Sequence, residues 1–508
     1  MLIELLLAVT FVAALVTFVV PDAVAARVAA VLSLLPIGVS LLLWVGFTGA
    51  GNALLGGQIA HVTDLRWLTL NGYELYWFVG VDGISLPLVV LTTVLTTLAI
   101  VSAWTPIDTR QSEFYGLMLF MEAALIGVFT ALDFFVWFVF WEAVLVPMYL
   151  LIGIWGGPER RYAAIKFFVY TNVASLVMFI AFIAMVFSMG DAVRTFRLPA
   201  VAAAVREGAI GPIGALAPGT VELVVFVAIF IGFAVKVPVA PLHTWLPDAH
   251  VQAPTPVSVM LAGVLLKMGT YALLRFNFTM FPDAAVTLAV PIAAVAVISV
   301  IYGALLALAQ TDLKRVVAYS SVSSMGYVIL GLVAYTSFGV GGATFQMVAH
   351  GLISGLMFMA VGVIYNVTHT RQIAEMSGVT DRLPVAAWIF VAGAFGYMGL
   401  PLMAGFAAEF FIFKGAFAST VTPLMPIFTA LAMFGIVIVA GYLLFAMQRA
   451  LFGPFSVSGM EDLPRAARHD VAPMVVLLAL IIILGVAPEL IFGMIQDAVG
   501  PLLPGGRS

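Results

Sequence analysis

The chain has 508 residues, of which 63% are hydrophobic and only 9% charged, and its mean hydropathy is +1.17. Ordinary soluble domains are about one-quarter charged, so this chain has too few polar groups to cover its own surface, and lipid must solvate most of it. A net charge of −4 offers no basic patch for nucleic acid, and the absence of cysteine excludes disulfides, iron–sulfur clusters and thiolate zinc sites on this chain.

The N-terminal stretch MLIELLLAVT has no basic region and carries Glu4, so the first helix is expected to be kept rather than cleaved as a signal peptide. Apolar runs of about 20 residues predict roughly fourteen membrane helices. They centre near Val12, Leu35, Leu95, Phe120, Leu145, Met178, Ala228, Leu265, Val295, Met325, Leu356, Val391, Ile436 and Leu478. The whole chain, 1–508, reads as a single membrane domain. Residues 1–108 hold the first helices and a β-hairpin near 64–80, where Asn71-Gly72 sits between Leu-, Trp- and Tyr-rich flanks. The Ala/Gly/Pro-rich connection from Gly190 to Thr220 reads as a surface excursion, and residues 470–508 as a C-terminal helix.

An even number of spans places both termini on one side. Alternate loops then collect Arg27, Arg110, Arg160, Arg161, Lys314, Arg315, Arg371, Arg382, Arg449, Arg465 and Arg468, against Arg66, Arg194, Arg197, Arg206, Arg275 and Arg507 opposite. The richer side is expected to be cytoplasmic, which turns the termini outward. Thr311-Asp312 looks like a helix start, but Lys314 and Arg315 in the next turn oppose the macrodipole, so topology is the expected reason for those two cations.

Seven charges fit no loop: Lys166, Lys236, Lys267, Lys414, Glu122, Glu142 and Glu409. Lys166 and Lys414 lie close enough to helix ends to snorkel. The other five are expected to sit deep, where each costs at least about 2.5–3.5 kcal/mol on insertion scales and marks an ion or proton path far more often than packing. Glu142 with Lys236 makes a candidate pair whose proton affinity is set by spacing. Pro238 and Pro241 should break the helix that carries Lys236, and Gly399 with Pro401 should break another just before Glu409. Two such breaks in comparable places suggest an internal repeat with ion sites at the breaks. His243, His250 and His350 titrate in the right range for relaying protons, although His243 serves equally well as a partner for freed carbonyls. These features together predict an ion or proton transporter.

The segments FWEAVLVPMYLLIGIWGG, FAVKVPVAPLHTWLPDAHVQAPTPVSVMLAGVLLKMGTYALLR, QTDLKRVVAYSSVSSMGY and QMVAHGLISGLMFM resemble the antiporter-like membrane subunits of NADH:quinone oxidoreductase, respiratory complex I. Within that family the M-type branch, counterpart of mitochondrial subunit 4, is the most similar. No long lateral helix like that of the L branch is expected after the last span, and Glu409 stands where the L and N branches and the multisubunit sodium/proton antiporters usually have lysine. The resemblance implies an all-α polytopic fold with two inverted five-helix repeats, over 109–280 and 284–452. It implies a charged pair at Glu142 and Lys236, a central proton carrier at Lys267 and an exit-side group at Glu409. Glu122, Lys166, His250, His350 and His243 are expected to support the path. Ser324 departs from the family, which often has histidine there, so water or a neighbouring hydroxyl would have to carry that step. The implied function is redox-driven proton translocation in the inner (cytoplasmic) membrane. No cofactor is expected on this chain; FMN, iron–sulfur clusters and quinone belong to other subunits, and L-like and N-like neighbours are the expected partners. The alternative is a sodium/proton antiporter subunit.

Overall fold

The computed structural model describes residues 1–457 and 464–503. Arg507 and the last five residues of the expected C-terminal helix lie outside that range. Among the described residues, thirteen helices are long and apolar enough to cross a membrane. A fourteenth crossing is made by two shorter helices, Pro384–Tyr397 and Ala404–Phe417, separated where Gly399 and Pro401 stand. The expected fourteen spans are therefore present, and we number them in chain order. Those the site uses are span 4 (Gln111–Thr130), span 5 (Phe134–Trp155), span 6 (Arg160–Ser188), span 7 (Pro218–Lys236), span 8 (Thr255–Phe278), span 10 (Leu313–Val333), span 11 (Ser337–Thr368), the discontinuous span 12, and span 13 (Met425–Ala450). Spans 8 and 11 form the centre: their most apolar stretches are wholly buried in protein, whereas spans 13 and 14 (Arg468–Val486) are only about one-third buried and lie at the periphery.

Five spans per repeat puts spans 4–8 and 9–13 in opposite orientations, because an odd number of crossings starts the second set from the other side. The broken helix is fourth in each set. Span 7 ends at Lys236, the chain is non-helical through the prolines, and a short helix Leu246–Gln252 follows. Backbone groups freed by this break find partners inside the protein. Trp245 Nε1 donates to the Val235 carbonyl at 2.8 Å, and the Ala240 amide donates to Ser299 Oγ at 3.0 Å.

Loops of like parity meet one another, as fourteen crossings require. The hairpin pairs β1 (Ala60–Leu70) with β2 (Tyr73–Val81), and Asn71 and Gly72 both take the positive φ that a type I′ turn demands. It packs against Leu132 and Arg194 of the next two loops on its side. On the other face, Asp312 bridges to Gln372, and Met376-Ser377 pairs with Ser456-Val457.

Three expectations need correction. The Gly190–Thr220 connection is more than a surface excursion: it contains the helix Leu198–Arg206, whose Leu198, Val201 and Val205 are buried. The C-terminal region is two helices in its described part, because Pro488 stops span 14 and Glu489–Val499 packs back on span 11. Arg275 and Lys314 are not loop cations, since both are buried at span ends.

Candidate functional site

Span 8 does not run as a simple α-helix. Two π-helical turns, Leu261–Leu265 and Leu273–Phe278, flank the α-helical segment that bears Lys267. Such bulges shift the hydrogen-bond register and recur at functional sites. The shift moves the Leu266 amide from Ala262 to the Leu261 carbonyl. The Lys267 amine donates to the Ala262 carbonyl and lies 2.6 Å from Nδ1 of His350 on span 11. Gly263 and Gly351 permit this approach; a Cβ at position 351 would lie 2.8 Å from the Gly263 carbonyl oxygen. Lys267 and His350 are both essentially inaccessible, and His350 Nε2 has no protein partner.

His250, on the short helix after the span 7 break, is fully buried and stacks on Phe358 at 4.5 Å, with neither ring nitrogen bonded. It lies within electrostatic reach of Lys267 and Lys314, and also of His350. Beyond His350 comes Tyr397, 5.8 Å away between ring centroids. Tyr397 is buried, and buried Tyr442 of span 13 donates its hydroxyl to Ser320 Oγ at 2.7 Å. Of the expected candidates, the structure brings Lys267 into contact with His350; Tyr397 and Tyr442 are buried tyrosines that the sequence did not single out. Their only signal was a tyrosine hydroxyl in an apolar helix, which is too common to single out.

Glu409 sits at the second break. Gly399 there has φ +63°, and a Cβ on it would collide with Oε2 of Glu409. That oxygen has no protein partner, and the residue is 5% exposed. Lys414, five residues on, is exposed in the last turn with its amine 3.5 Å from the Phe338 ring, as snorkelling predicts.

The first repeat is arranged differently from the simplest expectation. Lys236 is buried, but its amine makes no ion pair among the described residues; it lies over the Trp141 ring, 4.1 Å from the centroid. Glu142 is within electrostatic reach of Lys236, yet it is only partly buried and accepts from Asn172 Nδ2 at 3.1 Å. Glu142 stays near the middle of span 5, as expected, but on a side of the span that this chain covers only in part. Adjacent helix positions point about 100° apart, so Trp141 takes the inward position against Lys236 and Glu142 takes the outer face. Span 8 closes against the break at Gly269, where a Cβ would meet the Val237 amide at 3.0 Å.

The remaining candidates lie apart from these contacts. Glu122 is fully buried on span 4, with neither carboxyl oxygen bonded to protein. Lys166 pairs with Asp248 at 2.7 Å on a partly exposed surface, and Arg315 shares that carboxylate at 3.4 Å. His243 is 5% exposed beside the rings of Tyr302 and Tyr319. Ser324 is buried on span 10. Two buried cations escaped the sequence reading as site residues. Arg275 Nη2 pairs with Asp82 at 2.5 Å, and Lys314 donates to the Ala253 carbonyl at 2.5 Å. Among the described residues no three metal-capable side chains converge.

A sequence model described as "NADH:quinone oxidoreductase/Mrp antiporter, TM" matches residues 131–435. The chain belongs to this family. It is 41% identical over 473 residues to NADH-quinone oxidoreductase subunit M of Rhodobacter capsulatus, covering 92% of this chain and 88% of that protein. It is also 41% identical over 460 residues to an NAD(P)H-quinone oxidoreductase chain 4 of Trichormus variabilis, covering 88% and 83%. Among solved structures, a chain of respiratory complex I from Thermus thermophilus superposes with a TM-score of 0.85 at 27% identity, covering 99% of this chain and 100% of that one. The family assignment fits a chain of fourteen crossings with two broken helices.

Proposed function

We propose that this chain is the M-type, proton-translocating subunit of the membrane arm of an NADH:quinone oxidoreductase. The observation that carries the reading is the Lys267–His350 contact at 2.6 Å in the most buried part of the bundle, with buried His250 and Glu409 as the candidate groups on either side of it. An N···N contact this short shares one proton, and which nitrogen holds it depends on the neighbouring charges. Protons enter at the His250 end, load the Lys267–His350 pair, and leave through Tyr397, Tyr442 and Glu409. In the first repeat, Glu142 and Lys236 set the charge that Lys267 feels, while Glu122, Lys166, His243 and Ser324 support the path through the water and hydroxyls near them. The repeats span 109–280 and 284–452. Electrons are carried by FMN, iron–sulfur clusters and quinone in other subunits, and L-like and N-like chains flank this one in the cytoplasmic membrane. Both termini face the periplasm. With Arg275 and Lys314 set aside as buried, the loop cations still favour that orientation.

A sodium/proton antiporter subunit is the second reading, because the matched family includes such antiporters. Purification through a tag on this chain separates the two. The proposal expects a flavin- and iron–sulfur-containing NADH dehydrogenase that acidifies vesicles on NADH addition. Recovery of antiporter subunits and sodium-dependent exchange without NADH oxidation would replace it.

A further inference from the structure

The relay has an unassigned lysine at one end. Lys314 is 4% exposed in the first turn of span 10, yet its amine is used neither by its own helix nor by a carboxylate: it reaches across to the Ala253 carbonyl. Its neighbours complete a ring around the end of the short helix Leu246–Gln252. Arg371 donates to the Val251 carbonyl at 2.8 Å and pairs with Asp312 at 3.3 Å, while the Gly157 amide donates to the Gln252 carbonyl at 2.8 Å. Beside this ring lies a cavity of about 220 Å³, lined by Lys314, Arg371, Gln252, Thr255, Asn366 and Trp155 among others. The lining residues come from loops, the short helix Leu246–Gln252 and the neighbouring parts of spans on one face of the bundle. The volume is enough for several waters, and its lining is polar enough to hold them. His250 is not in the lining, but it is two residues before Gln252 and within electrostatic reach of Lys314.

We propose that this cavity is the aqueous mouth of the proton path and that Lys314 is its latch. With the amine on Ala253, the end of the short helix is held shut and His250 is sealed from the cavity. When the amine lets go, the Ala253 carbonyl and the ring nitrogens of His250 come within reach of the same water. Lys314 is thus a positioning residue: it controls whether His250 meets solvent and need not carry the proton itself. The idea rests on the proposed proton-translocating function for its purpose, but its geometry can be tested without any pumping.

The chain has no cysteine, so one introduced thiol is unique on it. In the purified full complex, Asn366→Cys should react readily with a small charged thiol reagent, and His250→Cys should be at least about tenfold slower while Lys314 is native, since labelling follows exposure. Adding Lys314→Met should raise labelling of His250→Cys by about the same factor. Lys314→Arg, which keeps a donor, should not. A buried control thiol at Thr344, far along span 11, should stay slow throughout. Equal labelling at positions 250 and 366 with Lys314 native overturns the latch, and needs no Lys314 variant to fold. So does an unchanged His250→Cys rate in Lys314→Met, or a rise that the Thr344 control shares. A complex that never acidifies vesicles would refute the proposed function instead, and leave the labelling result standing on its own.

Discussion

Lys267 and His350 face each other at 2.6 Å across the junction of the two repeats, each brought there by backbone that departs from the ordinary helix or lacks a side chain. The π turn sets the direction of the lysine, and Gly263 with Gly351 sets the distance between helices. The contact couples the two side chains, so removing either one changes the surroundings of the other. Lys267→Ala is expected to leave the complex assembled and strongly reduce NADH-driven acidification, and His350→Ala to do much the same. The double variant should lose little more than the worse single one, because groups acting as a unit are not additive. Losses that simply multiply would mean the two act separately. Lys267→Ala with normal pumping would remove the central carrier altogether.

Glu409 offers a carboxyl oxygen with no protein partner among the described residues, wedged against Gly399. Glu409→Gln should impair pumping more than Glu409→Asp, since an amide has no transferable proton. Gly399→Ala should mimic the loss with Glu409 intact, because a Cβ must push the carboxyl aside and alanine is strained at positive φ. Lys414→Met is the control, expected to be nearly normal. Equal rates in the Gln and Asp variants would make Glu409 structural.

Much of this arrangement was legible in the chain itself. Fourteen apolar runs, an Asn-Gly turn and prolines beside Lys236 each report a local rule: hydrocarbon thickness, positive φ, a missing amide. Partnership was less legible. Glu142 and Lys236 look like an ion pair from charge alone, yet Trp141 occupies the inward position and takes the lysine. Arg275 and Lys314 read as loop cations because they stand at span ends; only the packing of distant loops reveals Asp82 and Ala253 beside them. Sequence reports what a residue costs to bury, whereas its partner is set by the fold.

Asp82 and Arg275 are such a case, and they predict assembly rather than pumping. Asp82 also accepts from the amides of Ala53, Ile84 and Ser85, tying the hairpin, span 3 (Ser85–Ser102) and the π turn of span 8 together. Burial alone would push its carboxyl up, but the Arg275 guanidinium and these amides outweigh that and hold it below the ordinary 3.8. The carboxylate is favoured in the folded state, so its contribution is present above that value and lost only as pH falls below it. Arg275→Met leaves a buried carboxylate uncompensated, at a cost of about 3–5 kcal/mol. Native gels should show little assembled complex. The exchanged pair Asp82→Arg with Arg275→Asp should not rescue it, because an arginine cannot accept from three amides; rescue would mean that charge balance alone matters.

The break after Lys236 makes the last and most specific prediction. With no hydrogen-bond partner, the Lys236 amine depends on the Trp141 ring at 4.1 Å and on the more distant field of Glu142. A desolvated cation–π contact contributes about 2 kcal/mol or more to the charged form. Ser175 Oγ fixes the ring by accepting from Trp141 Nε1 at 2.9 Å. Glu142→Gln and Lys236→Met should each cut pumping and quinone reduction, the double variant losing little more than the worse single one. Trp141 must then behave as part of the same unit. Trp141→Phe keeps an aromatic face of weaker attraction, and Trp141→Leu keeps only bulk, so pumping should fall in the order Trp, Phe, Leu at matched assembly. The loss in Trp141→Leu should also vanish when Lys236 is already Met, since no cation remains for the ring to hold. If Trp141→Leu instead lowers activity equally with and without the lysine, the ring serves packing alone and Lys236 takes its charge state from Glu142.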